Sequence, residues 1–274
     1  MSENSPPEIA TRVARAYWDE HGFCGHRVYA DLLGRTSTSG LIVLALTGKR
    51  LSDEECAFVD EIFVAVTFAD PRIWPLKAAR IVGAYGRFVP AFAAGYLAND
   101  IDGVGIGPGV CTAVSRQLIE LRQSVHDRVD DADAVDEALR RQWTPESRWP
   151  GFGVAFRAED ERALALRRCV LARGRNTGMY WRLFESMVPI VRRERKLEPN
   201  ICSPLAAILL DMGFDPGTVG ALAMISFIGT FLANAKEGAA EPAACLRELP
   251  VGSVEYVGRP ARESPRAMAR RSGG

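Results

Sequence analysis

Pro199-Asn200-Ile201-Cys202-Ser203-Pro204, then the apolar run at 205–210 and Asp211-Met212-Gly213-Phe214, is the stretch around which this chain is organised. It joins a charged segment at 191–198 to the most apolar third of the sequence. A proline disfavours helical backbone at the residue before it, so a helix is expected to begin at or near Pro204. Asn200 and Cys202 then stand at a helix N-terminus, where unpaired N–H groups favour an anion or a reactive side chain. The plainer reading is an ordinary helix start, with Cys202 a small buried apolar residue.

The 274 residues suffice for one large domain or two closely packed ones. Hydrophobic residues make up 47% and charged residues 25%, an ordinary globular balance. Thirty-four Lys and Arg offset 34 Asp and Glu, which gives no bulk attraction to nucleic acid or to an anionic membrane. The uncharged run at 219–235 is at the short edge of a membrane span, and it carries Ser226, Gly229, Thr230 and Asn234. It is read as a buried or subunit-interface helix, with no membrane partner. The polar start Met1-Ser2-Glu3-Asn4-Ser5-Pro6-Pro7 lacks the apolar core of a leader, and the six cysteines are scattered. A cytoplasmic location with reduced thiols is expected. His21, His26 and His126 are the only histidines and no CxxC is present, so no metal site is expected.

Along the chain, residues 8–17 carry Ile9, Val13 and Tyr17 at spacing four and predict a helix. Further helices are predicted at 28–34, closed by Gly34, and at 38–47, closed by Gly48. Ser52 and Glu55 have capping-box spacing and open a helix to about 68. Others follow at 76–85, at 89–97, and after Pro108. The glycine run at 102–109 is a turn rather than a dinucleotide loop, because no strand precedes it. The acidic positions of 127–137 read as a solvated helix face. Helices are also predicted at 160–172, 179–195 and 205–212. Asp215, Pro216 and Gly238 bracket one long apolar helix. No run alternates as a sheet would, so the chain is all-α.

Several segments together are similar to those of the citrate synthase superfamily. Tyr29-Ala30-Asp31-Leu32-Leu33-Gly34-Arg35 resembles its "dLiGr" segment, and Leu44-Ala45-Leu46-Thr47-Gly48-Lys49-Arg50-Leu51 its "LltGrlP". Pro150-Gly151-Phe152-Gly153, with Asp160-Glu161-Arg162 after it, resembles "pGfGHpv…DPR". Pro199-Asn200-Ile201-Cys202 and the run to Phe214 resemble "lNvDgalaallldlGf", and Tyr256-Val257-Gly258 resembles the terminal "YvGp". These lie in the family's order, and the short chain suits the compact citryl-CoA lyase-like branch.

The resemblance implies an all-α, two-domain, citrate synthase-like fold that forms a homodimer. Residues 1–106 and 203–274 would form the large domain and 107–202 the small one. It also implies an acyl-CoA thioester as substrate, with Pro150, Gly151, Phe152 and Gly153 against the CoA adenine. In the family a carboxylate removes a proton from the thioester's methyl carbon, and two histidines steady the enolate and polarise the partner carbonyl. Here Cys202 stands at the base position, the histidine after Gly153 is missing (Val154 follows), and residues 105–110 hold none. Two carboxylate-binding arginines fall at Ser226 and near 251–253. Arg162 survives, with Asp160 before it. A thiol of reference pKa about 8.5 substitutes poorly for a carboxylate base at neutral pH, though a helix N-terminus favours its thiolate.

Cys202, Asn200 and Arg162 are therefore the candidate catalytic residues. Each has a structural alternative: a core thiol, a connection-orienting amide and an ion pair with Asp160 or Glu159. Cys111 and His26 are weaker candidates, and His21 and His126 read as surface residues. The functional expectation is a divergent acyl-CoA enzyme making or breaking a C–C bond at the acyl alpha carbon, not an ordinary citrate synthase. The alternative is a catalytically degenerate homologue acting as a binding or partner subunit, in a homodimer or in a heterodimer with an active paralogue.

Overall fold

Residues 10–27 pair their backbones as strands where the spacing of Val13 and Tyr17 had suggested a helix. The computed structural model describes residues 10–67, 70–99, 107–143, 149–154, 158–242, 252–253, 255 and 257–258. Within it β1 (Ala14–Ala16), β2 (His21–Phe23) and β3 (His26–Arg27) form an antiparallel sheet in the order β1-β2-β3. Ala14 faces Phe23 and Ala16 faces His21. The helical pattern fails because its apolar positions among the described residues are not buried: Val13 and Tyr17 remain exposed. A short helix with no buried face is marginal in water, whereas strand pairing satisfies the same N–H and C=O groups. The expected helix at 28–34 is a single π-helical turn, Val28–Leu32, and Gly34 leaves it at φ 72°.

Eleven α-helices follow among the described residues. α1 (Thr38–Thr47) ends on Gly48 in the left-handed conformation. α2 (Asp53–Val66) opens with the Ser52–Glu55 capping box, both hydrogen bonds made. α3 (Trp74–Tyr85) and α4 (Phe88–Ala98) precede α5 (Pro108–Val125), which has Pro108 in its first turn. The glycine run predicted to turn the chain lies outside the described residues up to Ile106. α6 (Ala132–Gln142) is capped by Asp131 and sets its acidic side chains against arginines, Asp136 on Arg140 and Arg193.

α7 (Glu161–Ala172), α8 (Met179–Arg195) and α9 (Cys202–Asp211) complete the surroundings of the opening stretch. Every residue of α9 except Asp211 is buried, and it packs on α5, α7, α8 and α10. A helix apolar all round has to be central. It begins at Cys202, two residues before the proline, so Pro204 is its third residue. That position needs no N–H partner within the helix.

The long apolar helix is two helices, α10 (Pro216–Ser226) and α11 (Ile228–Ala240). Phe227 N–H reaches back to Met224 O, at 3.2 Å, and to Ile225 O, and Ser226 Oγ donates to Ala223 O at 2.7 Å. Tight three-residue bonds at this point replace the four-residue ladder. By length and composition 216–240 is apolar enough to cross a membrane, and more than half of its most apolar window is buried in the fold.

One apolar cluster runs from Val43 to Ala223, and a smaller one joins α3, α4 and α11 around Leu76, Ala79, Phe231 and Ala235. Residues 1–242 form one compact unit and 243–274 a second, in which Gly252 takes φ 96°.

Candidate functional site

The chain leaves α8 through Lys196 in the left-handed conformation and extends to Pro199, which pairs antiparallel with Phe152. Gly153 N–H donates to Glu198 O at 2.8 Å and Asn200 N–H to Gly151 O at 2.8 Å. The 150–153 turn and the start of α9 are thus laced together, though some fifty positions separate them. Gly151 makes this possible. Its φ is 84°, and a Cβ there would strike Ser203 Oγ and lie 2.8 Å from Val114 Cγ2. Only glycine gives this backbone such freedom and such a close approach.

Asn200 uses both ends of its amide. Its Nδ2 donates to Gly153 O at 3.1 Å and its Oδ1 accepts from Cys202 N–H at 3.0 Å. Ser203 Oγ donates to Gly151 O at 2.7 Å. Arg192 closes the outer side by binding Glu198 at 2.6 Å, which holds that carboxyl below its ordinary range.

Asp160 caps α7 by accepting Arg162 N–H at 3.1 Å, and its Oδ2 accepts Ile201 N–H at 2.9 Å. Arg162 returns two guanidinium hydrogen bonds to the same carboxylate, at 2.9 and 2.8 Å. Burial pushes the Asp160 carboxyl up. The Arg162 hydrogen bonds and charge, with the Ile201 and Arg162 N–H groups, outweigh it, and the carboxyl titrates below the ordinary range. The ion pair expected for Arg162 is present, and it is largely buried rather than superficial: the Asp160 side chain is 1% exposed.

Cys202 is the first residue of α9 and 7% exposed. Cys111, from the first turn of α5, belongs to the same buried cluster. The nearby Cys202 side chain, with burial, drives the Cys111 thiol well above its ordinary value, while the Arg162 charge opposes this. Cys202, Asn200, Arg162, Gly151, Phe152 and Gly153 therefore come together. Within the turn Gly151 and Phe152 are buried, whereas Pro150 and Gly153 keep partial exposure. Ser203 was not singled out in the sequence, because no spacing links it to Gly151.

The histidines lie elsewhere. His26 lines a 310 Å³ cleft of the N-terminal sheet with Arg12, Arg15 and Arg27. His21 packs edge-on against Tyr29, and His126 is an exposed residue ending α5. A larger cleft of 470 Å³ lies between α5 and α10, lined by Thr112, Arg116, Gly220 and Met224 among others. Ser226, at the first expected arginine position, bonds only within its helix among the hydrogen bonds described. Val251, Val254 and Tyr256 lie outside the described residues. Among the described residues no three His, Cys, Asp or Glu side chains are grouped to hold a metal ion.

No protein-family model matches the sequence, and no curated protein matches it. Solved structures do match the fold. The citryl-CoA lyase from Hydrogenobacter thermophilus is 24% identical, with TM-score 0.72, over 95% of this chain and 99% of that one. The ATP citrate lyase from Methanothrix soehngenii, in complex with citrate and coenzyme A, is 13% identical, with TM-score 0.69, over 97% of this chain and 43% of that one. The citrate synthase from Thermotoga maritima MSB8 is 18% identical, with TM-score 0.60, over 83% of this chain and 59% of that one.

Proposed function

We propose, from the all-α citrate synthase-like fold that this chain adopts, that it is a divergent acyl-CoA enzyme. Its reaction makes or breaks a C–C bond at the alpha carbon of an acyl-CoA thioester, and it is not an ordinary citrate synthase. The observation that carries this is the joining of Asn200 and Cys202 to the Gly151–Gly153 turn and to the Asp160–Arg162 pair. Citryl-CoA lyase and ATP citrate lyase chains of the same fold support a CoA thioester as the substrate class. In this reading Cys202 holds or moves the proton at the alpha carbon, Asn200 fixes the Cys202 backbone, and Arg162 supplies positive charge. The partly exposed Pro150 and Gly153 offer the turn's surface to CoA. Residues 107–202 act as the small domain and the 199–204 stretch as the hinge back into the large domain, in a cytoplasmic homodimer.

A second reading is favoured by one feature of the same site. The Asn200 amide, the Gly151 and Gly153 carbonyls and the Asp160 carboxylate all have partners within the chain. That self-sufficiency suits a catalytically degenerate binding or partner subunit, possessing the fold without the turnover.

Calorimetry with CoA and acetyl-CoA, followed by assays of citryl-CoA cleavage and of citrate formation, separates the two. CoA binding with turnover lost in Cys202→Ser supports the enzyme. Absence of heat with both ligands overturns it in favour of the partner subunit. Citrate made from acetyl-CoA and oxaloacetate at a normal enzymatic rate overturns the altered active site.

A further inference from the structure

The N-terminal sheet carries a cationic cleft that shares no residue with the 199–204 site. Its volume is 310 Å³, and Arg12, Arg15, Arg27, Tyr17, Glu20 and Gly22 are among the residues that line it. Strand register builds it. Arg15 pairs with Gly22 and Gly22 with Arg27, so the three form one row across β1, β2 and β3. Residues directly opposite one another in a sheet point to the same face. Neighbouring strands lie about 4.8 Å apart, so the two arginines leave that face about 10 Å from each other. The residue between them is a glycine, and no side chain fills the middle of the row. The Arg15 guanidinium lies over the Tyr17 ring, 4.6 Å from its centroid. Backbone bonds fix the segment: Tyr17 N–H donates to Glu20 O at 3.0 Å and Cys24 N–H to Val13 O at 2.7 Å.

Two carboxylates stand beside the cleft, and both are engaged. Glu20 accepts the N–H groups of His21, Tyr29 and Ala30 at distances between 2.8 and 3.1 Å. Asp31 accepts Arg27 Nε at 3.1 Å and Arg27 Nη2 at 2.9 Å. A guanidinium has five N–H donors, so Arg27 keeps others for a ligand. Among the described residues no carboxylate pairs with Arg12 or Arg15. Other arginines of the chain do close on acids: Arg80 on Glu237, Arg140 on Asp136 and Arg192 on Glu198. Three guanidinium groups at the cleft thus outnumber its two carboxylates.

We propose that this cleft binds the phosphate group of a small ligand. The phosphate sits over Gly22 and accepts hydrogen bonds from Arg12, Arg15 and the remaining donors of Arg27. Guanidinium forks match the oxygens of a phosphate two at a time, and the bonds are charge-assisted. Stacking on Tyr17 leaves the N–H edge of Arg15 free to donate, since the ring takes only the face of the guanidinium. A volume of 310 Å³ is at the small end of ligand clefts, which suits inorganic phosphate or a short phosphomonoester. The site is independent of the acyl-CoA reading and holds whether or not CoA binds.

The test uses the full chain in chloride buffer without phosphate or CoA. Inorganic phosphate and glycerol 3-phosphate are titrated separately by calorimetry, with sodium chloride at matched ionic strength as the control. Saturable binding is expected, together with a thermal midpoint that rises with ligand concentration. Tighter binding of the ester identifies a phosphomonoester as the ligand, and equal affinity identifies free phosphate. Arg12→Gln and Arg15→Gln should each weaken binding about tenfold or more. Arg116→Gln, at an exposed arginine of the α5–α10 cleft, should leave it unchanged. Gly22→Val keeps every charge and fills the space between Arg15 and Arg27. Its Cβ meets Arg15 Cβ at an ordinary 3.7 Å, and a β-branched residue suits a strand, so the sheet should persist while binding is lost. Circular dichroism checks that each variant is folded. The proposal is overturned if neither anion binds the parent chain at millimolar concentration. It is equally overturned if Arg12→Gln, Arg15→Gln and Gly22→Val bind as the parent does, or if Arg116→Gln weakens binding as much as they do.

Discussion

The Asp160 carboxylate accepts Ile201 N–H at 2.9 Å while capping α7 through Arg162 N–H, so one side chain fixes the starts of two helices. The geometry of the Cys202 site depends on this link.

Asp160→Asn breaks a buried pair and leaves the Arg162 guanidinium without its counter-charge. It should destabilise the fold by about 3 kcal/mol. Equilibrium denaturant unfolding measures this, and a loss within experimental scatter of zero would contradict the buried role.

Acid should act through the same carboxylate. Its folded pKa lies below the unfolded value, so its contribution is complete above the ordinary carboxylate range. It is lost as pH falls through the folded value, because the unfolded chain then binds the proton first. Urea midpoints between pH 7 and pH 3 should fall more steeply for the parent chain than for Asp160→Asn.

Gly151→Ala puts a methyl at φ 84° against Ser203 and Val114. The backbone and packing penalties together amount to about 2 to 4 kcal/mol. Ser203→Ala removes the nearest clash, so the double variant should be less destabilised than the sum of the singles. A denaturant double-mutant cycle reads this coupling.

Asn200→Ala removes the acceptor for Cys202 N–H and the donor to Gly153 O. A loss of about 1 to 2 kcal/mol is expected from the missing helix-start bond and its companion. Equilibrium denaturant unfolding checks it.

Cys169 offers a check away from the site. Burial, then the Glu61 carboxylate, pushes its thiol up to about 11. Alkylation should be slow at neutral pH and rise as pH approaches that value. Glu61→Gln should speed the neutral reaction, as followed by mass spectrometry.

The amino-acid sequence by itself determined the helix boundaries whose signals are local. Gly48 ends α1, Ser52 and Glu55 cap α2, Pro108 opens α5, and Asp215 with Pro216 opens α10. Each signal acts within about one helical turn, a distance that residue spacing records directly. The wholly apolar run after Pro204 likewise required α9 to be central. Tertiary structure alone decided the rest. The N-terminal sheet replaced a helical pattern whose Val13 and Tyr17 remain exposed. The break at Phe227 interrupted a run whose composition was uniformly apolar. The double use of Asp160 and the closing of Ser203 on Gly151 join residues about forty to fifty positions apart. Contacts at that range leave no periodicity in a single sequence, because the intervening chain can be of any composition that folds. The order of motifs thus marked out the 199–204 stretch, while the hydrogen bonds that tie it to the 150–153 turn and to Asp160 followed only from the packing.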